Sequence, residues 1–261
     1  MCLTGFLRFT QGKLYLGASH TYIGGTMKRI ALPLLASALF FGSVSGCTHY
    51  TKGLARAGIT EEQFVINNAS LVFARMQKKY PKLDDAVAHA EGVLIIPHLV
   101  KGGLIIGAES GIGVMLHKKP DGKFSPPAFF NIASTSGGLQ VGYEEASVVI
   151  VFKKGQTMLR SFEHGMTIGG DASVAMGKRN ANDTAYAHKD VIEFVESDGA
   201  FAGASIGGSL IAARERMTRA YYGPNASAHG VLLDCKFDNQ GTAEIRTLLD
   251  EYTFPKVASA K

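Results

Sequence analysis

From Gly102 to Phe152 the chain reads GGLIIGAESGIGVMLHKKPDGKFSPPAFFNIASTSGGLQVGYEEASVVIVF, a series of short aliphatic runs cut repeatedly by glycine. This stretch limits the fold more than any other. Leu104-Ile105-Ile106, Gly113 to Leu116 and Ser147 to Phe152 have the make-up of strands. Pro120-Asp121-Gly122 supplies the turn between the second run and Lys123-Phe124. Glycine at this density implies strands that bend, bulge or pass close to another backbone.

The flanks read differently. Thr60-Glu61-Glu62-Gln63 is a capping box, in which the Thr60 hydroxyl takes the Gln63 amide and the Gln63 side chain reaches back. The helix it opens runs to about Lys79. Ile66, Ala69, Phe73 and Met76 lie on one face, Val65 and Val72 widen it, and Pro81 stops the helix. That stripe reads as one side of a core rather than a face lying on a membrane. Leu83 to Ala90 adds a helical turn or two before a strand at Val93 to Ile96. Further on, Gln156 to Phe162 reads as a short helix and Met166 to Ala175 as a strand broken by Gly169-Gly170. Val191 to Glu196 alternates like a half-buried strand, and Ala200 to Ile206 continues into Leu210 to Tyr221. Ile245, Leu248, Leu249 and Tyr252 share a face of a last helix that Pro255 closes. Helices at the ends with strands between them predict one α+β domain over residues 60–254. Its sheet is largely antiparallel, glycine-rich and twisted, or a partial barrel, flanked by an N-terminal and a C-terminal helix. Residues 255–261 form a tail.

The segments GLIIGAESGIGV, PDGKFSPPAF and GGLQVGYE, in that order, resemble the core of the SYLF domain family. Val149 to Phe152 leading to Ser161-Phe162, Ile168 to Gly177, Asp198 to Ser209 and Tyr221-Tyr222-Gly223 extend the likeness over about residues 60 to 252. Phe124 stands where the family usually has Trp, and Lys178 follows Gly177 where it usually has Pro. The resemblance implies a lipid-binding domain without catalysis. Animal members bind phosphoinositides and yeast members bind actin, ligands that a bacterial periplasm does not normally contain.

The N-terminal part specifies a compartment. Met27-Lys28-Arg29 and the apolar run from Ile30 have the order of a secretory signal, and the run is too short to span a bilayer comfortably. Val44-Ser45-Gly46-Cys47 matches the bacterial lipobox, so residues 27–46 read as a lipoprotein signal peptide and Cys47 as the acylated mature N-terminus. Residues 47–59 are then a polar tether, and residues 1–26 an upstream extension ahead of the true start at Met27. Thr48 after the cysteine points to the outer membrane, facing the periplasm. Cleavage removes Arg8, Lys13, Lys28 and Arg29 and no acid, which takes the net charge from +5 to +1. Strong nucleic-acid binding is therefore not indicated. With Cys2 upstream and Cys47 acylated, Cys235 is left alone and reads as a small buried hydrophobe.

Two motifs suggest chemistry. Gly107 to Gly113 spells G-x-x-x-G-x-G, the start of a nicotinamide site, but the following residues reach Pro120-Asp121-Gly122 too soon for the required helix. Gly203-Ala204-Ser205-Ile206-Gly207 spells a nucleophile elbow. The only acid-then-histidine order after it ends at His229, with Glu215 as the clearest acid, and the βα alternation is missing. The eight histidines show no metal-ligand spacing. The sequence thus predicts neither catalysis nor a cofactor nor a metal.

Charge remains. Lys118, Lys119 and Lys123 flank the Pro-Asp-Gly turn, and Lys153 and Lys154 follow the strand ending at Phe152. These are the headgroup candidates, by charge and position, because clustered lysines attract anionic phospholipid at about 1 kcal/mol each. Two functions compete. One is a membrane-anchored lipoprotein whose domain binds anionic phospholipid headgroups. The other is a structural or protein-interaction element of the cell envelope, touching lipid only through Cys47.

Overall fold

Thr60 opens helix α1 (Glu61–Lys79), accepting a hydrogen bond from the Gln63 amide at 3.1 Å. The reciprocal half of the capping box is absent. The Gln63 side chain instead donates to Asn67 Oδ1 and to the carbonyl of Gly241, and accepts from the Tyr221 hydroxyl. A tertiary contact has captured the group that the local motif assigned to the backbone. The computed structural model describes residues 58–103, 106–137, 142–163, 165–168, 174–176, 189–198 and 208–251. The leader, Cys47, the pair Leu104-Ile105, the Gly169-Gly170 break, the segment from Ala200 through the Gly203 to Gly207 motif, and Tyr252 onward lie outside them.

After α1 and Pro81 come α2 (Lys82–Ala88) and four long strands, β1 (Gly92–Gly103), β2 (Ile106–His117), β3 (Ala128–Gly137) and β4 (Gly142–Phe152). Helix α3 (Gly155–Glu163) leads to β5 (Met166–Thr167), β6 (Val174–Met176), β7 (Val191–Asp198) and β8 (Leu210–Ala213). The chain then forms α4 (Glu215–Tyr222), α5 (Ala228–Leu232), a 3₁₀ turn (Gln240–Thr242) and α6 (Ala243–Asp250). One sheet holds the eight strands of the described residues in the order β5-β8-β3-β2-β1-β4-β7-β6. Only β6 and β7 are parallel; the other neighbours are antiparallel.

The single strand expected from Met166 to Ala175 is two strands on opposite edges of this sheet: β5 pairs with β8, and β6 with β7. Their proximity in sequence requires curvature. Seven residues from Thr167 to Val174 reach at most about 24 Å, whereas eight strands laid flat would hold the outer two about 34 Å apart. The sheet must therefore curl into a half-barrel.

Both faces are covered over the lower part of the sheet. On one face α1, α2 and α6 bury Phe73, Met76 and Leu249 against Val93, Ile95, Leu116, Phe129, Val151 and Phe194. On the other, Met158 of α3 and Val231 and Leu232 of α5 pack on Leu94, Ile96, Met115, Phe130 and Ile150. Double coverage explains why Val191 to Phe194 is buried on both sides rather than alternating. Phe124 is buried in the first layer. Cys235 departs from expectation: it is exposed and takes a left-handed backbone (φ 49°). That conformation follows α5 and lets the Lys236 amide donate to the Gly230 carbonyl.

Candidate functional site

The register brings the two lysine groups together. Gly92 pairs with His117 on one side and Phe152 on the other, and Phe152 pairs with Val191. One residue further out, the Lys118 amide donates to Glu91, the Glu91 amide to Phe152 and the Lys153 amide to Asp190. Lys118, Glu91, Lys153 and Asp190 thus cap four successive strands with alternating charge. Several of these cations are engaged within the protein. Lys118 Nζ donates to the Ala88 carbonyl, and its partial burial pulls its pKa down against the raising effect of Glu91. Lys119 pairs with Asp121 at 3.0 Å and Lys154 with Asp190 at 2.5 Å. Asp121 is held below the usual carboxylate range by the Lys123 amide and then by Lys119. The Lys123 side chain is exposed at the hairpin, whose turn is closed by Gly122 (φ 84°). Five lysines against Glu91, Asp121, Asp190 and Asp250, whose carboxylate accepts from the Phe124 amide, leave this group one charge positive. Cys47 lies outside the described residues.

The opposite half of the sheet is organised by a bulge that composition does not announce. Between Ile95 and His98 the β1–β2 register slips by one residue, with a matching irregularity against β4. Beyond the bulge Lys101 faces the same side as its direct neighbours Glu109 on β2 and Glu144 on β4. Lys101 Nζ lies 2.7 Å from Glu109, whose second oxygen accepts from Ser209 at 2.7 Å. Glu144 is only 2% exposed, and among the described residues neither of its oxygens has a hydrogen-bond partner. These residues were not singled out from sequence; the signal that could have found them is a lone lysine in an otherwise apolar strand.

On the outer face, α1 and the bulge enclose a cleft of about 190 Å³ lined by Leu71, Arg75, Pro97, His98, Ser147 and Glu196, among others. Glu196 binds Arg75 at 2.5 Å and Lys79 at 3.0 Å. Burial pushes its pKa up, but the hydrogen bonds from Lys79 and Arg75 outweigh this and hold it below 4.5. The pairs join the end of α1 to β7, a contact that local sequence does not encode.

The G-x-x-x-G-x-G motif lies wholly inside β2, so no helix N-terminus follows it to receive a pyrophosphate. Arg214 donates to Asn131 and Arg219 approaches Glu215, while Arg216 and Arg219, three apart on α4, are both exposed. Among the described residues, no group of three or more His, Cys, Asp and Glu side chains is placed to hold a metal ion. Nor is any described helix long and apolar enough to cross a membrane.

A family model described as "Ysc84: Las17-binding protein actin regulator" matches residues 133–252. The chain is 30% identical over 174 residues to "SH3 domain-containing YSC84-like protein 1" of Xenopus laevis, covering 64% of this chain and 51% of that protein. The Homo sapiens protein of the same name is 30% identical over 173 residues, 64% of this chain and 50% of its own length. "LAS seventeen-binding protein 3" of Saccharomyces cerevisiae is 33% identical over 156 residues, 57% of this chain and 34% of that protein. The match therefore spans about half the length of the animal relatives and a third of the yeast one. No solved structure matches the chain.

Proposed function

We propose, starting from a chain that carries a Ysc84/SYLF-family domain, that it is a bacterial lipoprotein binding anionic phospholipid headgroups without catalysis. In this reading Cys47 is acylated and holds the protein at the outer membrane, facing the periplasm. Lys118, Lys119, Lys123, Lys153 and Lys154 supply the positive end of the domain. The observation that carries the reading is the register that gathers these lysines, more than thirty residues apart at the extremes, at one end of the sheet.

Geometry makes anchor and lysines compatible. Gly58 and Ile59 lie beside Tyr221 and Asn239, and Gln63 bonds Gly241 at the start of the 3₁₀ turn and α6. At the far end of α6, Asp250 accepts from the Phe124 amide in the lysine hairpin. The eight residues of α6 span about 12 Å. The eleven residues from Cys47 to Gly58 reach at most about 37 Å when extended. A lipid-tethered domain can therefore set its lysine end on the bilayer that holds its anchor. Lysine contacts would then add to acyl anchoring, which itself gains about 0.8 kcal/mol per buried methylene.

The test is flotation of residues 48–261 with vesicles of graded anionic lipid content at low and high salt. Binding should rise with anionic lipid and fall with salt. At about 1 kcal/mol per lysine, Lys119→Glu with Lys123→Glu should weaken it at least ~30-fold. No binding to any vesicle would move the function to the second reading, an envelope element that binds a protein; the yeast relative's name, LAS seventeen-binding protein, favours that alternative.

A further inference from the structure

Past the bulge, the face of the sheet that carries Leu94, Ile96 and Met115 changes character. The register sets its residues in rows across β3, β2, β1 and β4. The first row, Ile132, Gly111, Leu99 and Ala146, is apolar and buried. The next is Ser134, Glu109, Lys101 and Glu144. Beyond it Gly107, Gly103 and Gly142 share a row, and Gly103 and Gly142 are the end residues of their strands. A lysine with an acid on either side thus stands between an apolar floor and a rim where three neighbouring strands carry no side chain.

The charges in this row do not cancel, because one lysine against two glutamates leaves a net negative charge. Lys101 Nζ and the Ser209 hydroxyl, itself buried, take the two oxygens of Glu109. Glu144, the direct neighbour of Lys101 on the other side, receives neither. It is 2% exposed, and among the described residues its oxygens are the only buried side-chain polar atoms without a hydrogen bond. A buried carboxylate is stabilised by a partner that brings hydrogen-bond donors and positive charge. A partner from outside has a short way to come. Lys101 is 30% exposed, so solvent reaches the middle of the row, about 4.8 Å, one strand spacing, from β4. The glycine rim is two residues further on, roughly 7 Å along the strand.

The donor set selects the ligand. A calcium or magnesium ion needs about six or more oxygen ligands, whereas this row offers the pair on Glu144 beside a lysine ammonium. A primary ammonium ion asks for less. Its three N–H donors can serve both oxygens of one carboxylate, as Lys101 already serves one oxygen of Glu109. Its charge brings the row to neutrality, and its carbon tail can lie toward the rim, where Gly103 and Gly142 place no side chain in its way. Charge-assisted bonds over the apolar floor of Leu99 and Ala146 are stronger than the same bonds in water. We infer that Glu144, beside the Lys101–Glu109 pair, is the binding site of a small primary ammonium ion. The site lies nine residues along β1 from Gly92, roughly 30 Å from the lysine end of the sheet, and does not rest on the lipid reading.

The test is thermal unfolding of the full chain in phosphate buffer whose cation is tetramethylammonium, which has the charge but no N–H to donate. Methylammonium or ethanolammonium, replacing it at constant ionic strength, should raise Tm by at least ~3 °C near saturation. Labelled methylamine in equilibrium dialysis should occupy a single site per chain. Sodium and calcium should give no comparable rise. Glu144→Gln removes the charge at nearly constant shape and should lose both the Tm response and the dialysis site. Glu145→Gln, exposed on the opposite face of β4, should keep both. Absence of any ammonium response, or an equal response in Glu144→Gln, would overturn the inference. A rise with sodium or calcium in place of the ammonium ions would overturn it too, and would make the row a metal site.

Discussion

Replacing Gly113 by alanine tests the account of why the central strands are rich in glycine. A Cβ built on Gly113 would lie 2.5 Å from the Ile95 carbonyl oxygen and 2.8 Å from Ile96 Cγ1, where ordinary contact begins near 3.4 Å. Gly111 meets the same obstacle, 2.8 Å from the His98 oxygen. Both glycines therefore lie beneath the bulge, and the nearest atom in each case is a backbone oxygen, which no rotamer change can remove. Relief needs β1 to move by about 0.9 Å, the upper end of overpacking, for a cost of about 2–3 kcal/mol. For a domain of this size that lowers Tm by roughly 5–10 °C. Gly102→Ala is the matched control, because a Cβ there has nothing within 4 Å, and its effect should stay within about 0.5 kcal/mol. Thermal unfolding followed by circular dichroism reads both. A fall of less than ~2 °C for Gly113→Ala, or equal falls for the two variants, would refute the close-approach argument.

Glu144→Gln should stabilise the domain by about 1 kcal/mol in urea, because it removes a buried carboxylate whose oxygens have no partner among the described residues; destabilisation would mean that the charge is used. Arg75→Ala with Lys79→Ala should cost about 1 kcal/mol at neutral pH, since both cations are well exposed and screened. The folded pKa of Glu196 lies below its ordinary 4.5, so its contribution is present above that value and is lost as the pH falls through the folded one. The double variant should therefore flatten the loss of stability below pH 4.5, and an unchanged acid limb would sink the assignment.

What the sequence determined by itself is local and periodic. The cap at Thr60, the apolar stripe from Ile66 to Met76, the Pro-Asp-Gly turn and the β-branched runs each encode their geometry within a few residues. Their order, helices outside and strands within, is enough to predict an α+β domain with a curled antiparallel sheet. The likeness to the SYLF family rests on the same central segments. The lysines were also visible as two groups.

Their meeting was not, because it depends on which strands become neighbours, and pairing is decided by burial over the whole sheet. The same limit applies wherever distant segments compete for one group. Gln63 left its capping role for Gly241 and Tyr221, and residues 166–176, continuous in sequence, were divided between two edges by curvature. Cys235 was placed in the open by the turn after α5. The bulge at Ile95 to His98 is the clearest case. A one-residue slip in register exchanges the faces of every residue beyond it, and so put Lys101 between two glutamates and Val100 on the opposite face. Composition cannot report such a slip, because only the partner strand defines which side is in.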